Sequence, residues 1–296
     1  MRLFYSDHVD MGLPPEHRFA ARKYRLLRES LQRDSRFHFA PSPPATRDQL
    51  ARAHCPQYVD AFCNGQLDPA AIRRIGFPWS PQLVQRTLVS AGGTLAATLV
   101  ALADRYSGAL AGGTHHAFYA EGAGFCVFND IAVAIAFLRA EAGIERVSVI
   151  DLDVHQGDGT AQIFAADPAV FTLSLHGRNN FPFRKQQSSL DVPLDDHTTD
   201  DDYLAALDAA LPRAFDHNPQ FLFYQAGVDP LKADTLGKLD LSPEGLAARD
   251  RRVFTAARAA AIPLVITIGG GYANPIELTA EAHAQTYRAA LETLFP

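Results

Sequence analysis

The sequence predicts an α/β fold in which a parallel sheet is covered on both faces by helices. Three observations lead there. Short apolar, β-branched runs alternate with longer segments whose apolar residues recur at helical spacing. The run interiors, such as "VFTLSL", "FLFYQA" and "LVITI", are almost continuously apolar, as strands buried on both faces must be. The repeated strand-then-helix order implies parallel strands joined by helical crossovers.

The elements follow in order. Leu3–Tyr5 reads as a short strand, and "MRLFYSDHVD" lacks the long apolar run and cleavage site of a signal peptide. Residues 35–80 carry much of the proline and few clear periods, so they read as a loop-rich region of the same domain. Helical spacing covers about 82–105, 129–142, 201–216 and 243–260. Strands are predicted at Ser107–Ala111, Val147–Asp151, Val170–Leu175, Phe221–Gln225 and Leu264–Ile268. The acidic run "LDDHTTDDDY" precedes a helical pattern and reads as a solvated helix start. No internal repeat, low-complexity segment or linker divides the chain, so residues 1–296 are expected to form a single domain.

Composition narrows the function. A chain of 296 residues that is 47% hydrophobic can bury a large core. The formal charge of −6 is mild and Lys and Arg are scattered, which argues against direct nucleic-acid binding. Three cysteines, an odd and low count, fit a reducing compartment, and the cytoplasm is the expected location. The longest apolar stretches fall short of a membrane span or contain glycines and charges, so no membrane partner is expected.

The strand ends carry the chemistry. Val147–Ile150 stops at Asp151, "VFTLSL" at His176, "FLFYQAG" at Asp229, "LVITI" at "GGGY", and "SGALAGGT" at His115 and His116. In parallel α/β sheets, ligands bind beyond the carboxyl ends of the strands. In "VIDLDVHQGDG", extended backbone would put Asp151, Asp153 and His155 on one face and Leu152 and Val154 on the other. Asp153 and His155 at this spacing can bind one metal ion, with Asp229 the natural third ligand. One His with two carboxylates suits Zn²⁺ with an open position for water, and Fe²⁺ accepts the same set. Taken singly, Asp158 or Asp229 would more often be a helix N-cap. Capping uses one residue, however, and three polar groups on one face need another explanation.

Adjacent histidines normally point to opposite faces, so aiming both His115 and His116 into one cleft needs irregular backbone, which Gly112 and Gly113 permit. Asp151 and Asp158 are left over after the metal takes Asp153, and each can orient one imidazole. "IGGGYA" sets Tyr272 on a glycine-flanked turn, which signals close backbone approach or a mobile loop. Beside a metal, its hydroxyl could polarise a carbonyl.

The motifs "GGTHHAF", "GAGFCVFND", "IDLDVHQGDGT", "TLSLH", "AGVDPLKADTLG" and "GGGY", in this order across residues 107–273, resemble the histone deacetylase superfamily. "LPPEHRFAARKYRLL" and "LDLSPEGLAARD" are most similar to its class IV branch and bacterial relatives. The resemblance implies a three-layer αβα fold with a largely parallel eight-stranded sheet. It implies Asp153, His155 and Asp229 as zinc ligands, His116 with Asp158 as general base and acid, and His115 with Asp151 as its electrostatic partner. Tyr272 would hold the acyl oxygen. Gly124, Phe125, Phe181 and Gly270 would form the substrate site, with Phe183 the alternative to Phe181 and Arg18 on an acetate exit path. A structural K⁺ or Na⁺ ion would sit at Asp151, Asp153, His155, Ser174 and Leu175. Gln156 stands where many relatives have a second His.

The implied reaction is zinc-dependent hydrolysis of acetyl-lysine or a related acyl-lysine in a protein or peptide, with acetylpolyamines or other small acylated amines as the alternative substrates. A two-manganese, arginase-like enzyme would need carboxylates two residues after His155 and two after Asp229, where Gly157 and Leu231 stand. A non-catalytic acyl-lysine reader is disfavoured by the intact set of His116, Asp153, His155, Asp229 and Tyr272.

Overall fold

Successive residues of the central strands enter opposite cores, the period-two signature of a sheet covered on both sides. Phe221 and Phe223 join one apolar cluster while Leu222 and Tyr224 join the other, and Val149 and Ile150 divide in the same way. A computed structural model describes residues 1–14 and 16–295. Its strands are β1 (Arg2–Tyr5), β2 (His38–Pro41), β3 (Tyr106–Ala109), β4 (Val147–Asp151), β5 (Val170–Gly177), β6 (Leu190–Leu194), β7 (Phe221–Gln225) and β8 (Leu264–Thr267). They form one eight-stranded sheet, order β2-β1-β3-β8-β7-β4-β5-β6, with every pairing parallel.

The cluster of Leu222 and Tyr224 is completed by α1 (Arg22–Leu31), and that of Phe221 and Phe223 by α2 (Arg47–Ala51), α3 (Pro56–Cys63), α4 (Pro69–Ile75), α5 (Pro81–Asp104) and α6 (Asp130–Ala142). The short α7 (Asp158–Ile163) follows β4. On the face of α1, α8 (Asp200–Asp216), α9 (Pro243–Ala259) and α10 (Ile276–Leu294) finish the three layers. The acidic run does open a helix, with Asp200, Asp201 and Asp202 in the first turn of α8, where the helix dipole favours negative charge.

Three expectations need correction. The region 35–80 holds an edge strand and three short helices, and its Pro56 and Pro69 sit at helix starts, where a missing N–H costs nothing. Two strands went unpredicted. Both β2 and β6 are sheet edges and both contain proline (Pro41, Pro193), so neither has the apolar run of a central strand. In length and mean hydropathy (1.4), α5 does reach the measure of a membrane span, yet 56% of that window is buried, chiefly against α6 and β3.

The order places the ends of β3, β8, β7 and β4 side by side at the centre of the sheet. Two of these ends are tied together from behind. Arg249 of α9, fully buried, donates through Nη1 to the carbonyls of Leu152 (3.1 Å) and Gly227 (2.6 Å), just beyond β4 and β7. Its charge is balanced by Asp250 at 2.8 Å, which also accepts from the Tyr224 and Thr286 hydroxyls at 2.5 and 2.6 Å. Arg249→Met leaves the Asp250 carboxylate buried without its partner, and should cost about 3–5 kcal/mol in urea unfolding. A loss below about 1 kcal/mol would show that the pair does not brace these strand ends.

Candidate active site

Past Asp151 the chain leaves the sheet, and the following residues still divide by side. Leu152 and Val154 are fully buried in the apolar core, while Asp153 and His155 line a cavity of about 680 Å³. Asp229, four residues beyond β7, completes a cluster with them whose ligand atoms all lie within 4.8 Å of one another. His155 Nδ1 stands 3.0 Å from Asp153 Oδ1 and 3.0 Å from Asp229 Oδ2. The remaining carboxylate oxygens are held by backbone: Val154 N–H donates to Asp229 Oδ1 (2.8 Å) and Gly270 N–H to Asp153 Oδ2 (2.6 Å). Neither Asp is a helix cap. A Cβ on Gly270 would collide with Asp229 Oδ2, so this glycine is required for the close approach of the β8 loop.

Charge in the cluster is unbalanced. Burial and the Asp153 charge push the Asp229 carboxyl up to about 7. Burial alone would raise Asp153 too, but the neighbouring His115 and His155 hold it well below the usual carboxylate range. His155 is buried, which opposes a positive charge, yet its two carboxylates raise it to about 10. The site therefore attracts a cation.

Both predicted histidine pairs are present. Gly112 and Gly113 take φ of +81° and +71°, and the resulting turn brings the His115 and His116 rings to 4.2 Å between centroids. His115 Nδ1 meets Asp151 Oδ2 at 2.7 Å and His116 Nδ1 meets Asp158 Oδ1 at 2.6 Å. A carboxylate only accepts, so each Nδ1 carries the proton and each Nε2 is left for other work. The two rings differ in charge. Burial works against His115 as a cation, but Asp151 and Asp153 lift it to about 9. Burial, reinforced by the charge of His115, drops His116 to about 4.

Tyr272 lines the same cavity, and the glycine loop before it is firmly held. Lys23 of α1, itself buried, donates to the Gly269 and Gly271 carbonyls (3.3 Å each) and lies 4.8 Å from the Tyr272 ring centroid. Tyr272 N–H donates to Asp234 at 2.5 Å. Gly124 and Phe125 adopt φ of +54° and +65°, a strained conformation for a phenylalanine. Their N–H groups bond the Arg74 and Ile75 carbonyls at the end of α4, at 3.2 and 2.8 Å. A Cβ on Gly124 would lie 2.8 Å from His116 and 3.0 Å from Phe181. Phe181, with its ring 4.9 Å from that of His116, thus stands across from Gly124, whereas Phe183 is 88% exposed. Arg18 lies on the cavity wall with its guanidinium 5.0 Å from the Phe125 centroid.

Register pairs Asp151 with Ser174, so these residues are neighbours; Leu175 follows in β5. His176 does not reach the site. β5 continues to Gly177, so His176 is still inside the strand, bonded to Ser174 Oγ at 3.0 Å. Gln156 turns away as well, donating to Gln186 and Asp191. A side chain at Gly157 would strike Asp151 and His115, and Leu231 is buried in the core, so the positions of a second metal's ligands are occupied by packing.

The sequence reading missed the residues that aim these groups. Gln225 accepts from Thr267 Oγ1 (2.6 Å) and donates to the Gly113 carbonyl (2.8 Å), joining three strand ends. Asp130, buried at the start of α6, accepts from Gly113 N–H (3.0 Å), Thr114 N–H (2.8 Å) and the Thr94 hydroxyl (2.5 Å). The sequence marks Asp130 only by its place in "FND".

Sheet and site together define a parallel α/β protein with a buried Asp–His–Asp cluster at its carboxyl edge, flanked by two carboxylate-paired histidines. The chain belongs to the histone deacetylase domain family, whose model matches residues 16–289. It is 43% identical over 293 residues to an uncharacterized protein of Picosynechococcus sp., covering 97% of both chains. It is 39% identical over 286 residues to histone deacetylase 2 of Arabidopsis thaliana, covering 91% of this chain and 74% of that one. With the histone deacetylase-like amidohydrolase of Pseudomonas aeruginosa it shares 32% identity over 259 residues, 81% of this chain and 67% of the relative.

Asp130→Ala removes the acceptor that sets the histidine loop and strands the buried Gly113 N–H and Thr94 hydroxyl. It should lower unfolding free energy by about 3 kcal/mol, read by chemical denaturation. A change below about 1 kcal/mol would mean that the loop is held by other contacts.

Proposed function

We propose that the chain is a metal-dependent deacylase that hydrolyses the amide of acyl-lysine side chains. The observation that carries this reading is the placement of two carboxylate-paired histidines beside one buried Asp–His–Asp cluster.

The residues present fit a single divalent cation. Asp153, His155 and Asp229 would hold it: three donors converge within 4.8 Å, and two buried carboxylates there face only one imidazole. The donor set suits Zn²⁺, and Fe²⁺ accepts it too. When bound, such a cation supplies a Lewis acid for the acyl oxygen and the attacking water. Packing at Gly157 and Leu231 argues against a second catalytic metal.

The protein's own groups divide the remaining work. His116, neutral at pH 7 and fixed by Asp158, takes a proton at Nε2 as water attacks and returns it to the leaving amine. Protonated His115, held by Asp151, supplies positive charge to the same pocket. Tyr272 donates its hydroxyl to the acyl oxygen as negative charge develops. Burial keeps that phenol well above its ordinary pKa, so it stays a donor through the neutral range.

Phe125 and Phe181 wall the approach, where a lysine's methylene chain gains about 25 cal/mol for each Å² it removes from water. Gly124 offers its carbonyl to the amide N–H, and Gly270 shapes the floor. A K⁺ or Na⁺ ion at Asp151, Asp153, His155, Ser174 and Leu175, and a reducing, cytoplasmic setting for the three free cysteines, belong to the same proposal.

The test is conversion of an acetyl-lysine peptide to the unacetylated lysine peptide and acetate by the zinc-loaded protein. Tyr272→Phe should lower turnover by about 10²–10³-fold, and His116→Ala should cost more than His115→Ala. No turnover by the wild type across acyl-lysine peptides would overturn the reading. Wild-type rates in Tyr272→Phe would remove Tyr272 from it.

A further inference from the structure

The chain carries a formal charge of −6, yet the wall of its cavity is basic. Arg18, Arg73, Arg74 and Lys238 line it, and Asp153 at the cluster is the sole carboxylate among the lining residues. Carboxylates outside the lining offset only part of this charge. Arg74 is paired with Glu121 at 3.0 Å and Lys238 loosely with Asp196 at 3.8 Å. Among the described residues, Arg18 and Arg73 have no carboxylate within ion-pair distance; both are exposed. Asp68 caps the far end of α4, while Arg73 and Arg74 occupy its last turn.

Two of these residues touch the wall of the substrate path directly. The Arg18 guanidinium lies over the ring of Phe125, and the Arg74 carbonyl bonds Gly124 N–H. The basic groups come from three separate stretches of chain: the segment before α1, the end of α4, and the loop after β7. Exposed Phe183 and Leu236 line the cavity beside them.

Resting on the deacylase reading above, we propose that this mouth selects acyl-lysines set in acidic stretches of protein and disfavours polycationic substrates. Carboxylates flanking the acylated residue would meet Arg18 and Arg73, whose charges are otherwise uncompensated. Exposed apolar side chains beside a distributed set of cations suit an extended peptide better than a single small carboxylate. The same field repels an acetylated polyamine, and a lysine-rich tail as well. Such steering acts on encounter as much as on affinity, so it should weaken with salt.

The experiment compares acetyl-lysine peptides with Asp/Glu, Gly/Ser or Arg/Lys flanks, together with free acetyl-lysine and an acetylated polyamine. kcat/KM is measured on the zinc-loaded protein, and binding by fluorescence anisotropy on its His116→Ala variant. At low ionic strength the acidic peptide should exceed the basic one by about tenfold in kcat/KM and in affinity, with the ratio shrinking at about 0.5 M salt, where the Debye length falls to about 4 Å. The double substitution Arg18→Glu with Arg73→Glu should invert the order, and Arg18→Lys with Arg73→Lys should preserve it. Equal values, or preference for basic flanks, overturn the inference even if every peptide is hydrolysed. Preference in binding without turnover of any substrate keeps the inference and sinks the deacylase reading. Free acetyl-lysine outperforming the acidic peptide would replace the protein substrate by a small carboxylate.

Discussion

Asp153 and Asp229 are fully buried and face one imidazole nitrogen, an arrangement that is unfavourable unless positive charge is held among them. Much of the surrounding structure keeps it in place. Backbone N–H groups of Val154 and Gly270 fix the outer oxygens, Arg249 ties the backbones that carry both aspartates, and Lys23 fastens the glycine loop above them. These supports come from the sheet and from α1 and α9, so the site depends on the sheet and that helical layer being assembled together.

The same crowding explains the division of labour between the two histidines. Only one ring of a pair 4.2 Å apart can readily carry a positive charge in so little space. Asp151 and Asp153 favour charge on His115, and that charge then helps to keep His116 neutral. A base and a cation are thus produced from identical side chains by their carboxylate environment.

The chemical residues were legible because their types and spacing are improbable for a structural purpose: Asp153, His155 and the His115–His116 pair all reached the cavity. The central strands were legible for their unbroken apolar runs. The edge strands β2 and β6 were not, since one side of each faces no neighbour and proline is tolerated there. Pro56 and Pro69 misled in the opposite sense, marking helix starts rather than loops. His176 shows the limit of reading a strand's end from composition, because β5 simply continues past it. Gln225, Asp130, Arg249 and Lys23 were invisible for another reason: each acts on backbone supplied by distant segments, and nothing local in sequence marks such a contact.

The central claim is that one buried cluster holds one catalytic cation. Stripping metal from the protein and restoring Zn²⁺ stepwise, while following turnover of an acetyl-lysine peptide, tests it most directly. Activity should vanish on stripping and saturate at one equivalent of Zn²⁺ per chain. Activity that survives stripping, or that requires two equivalents, would contradict it.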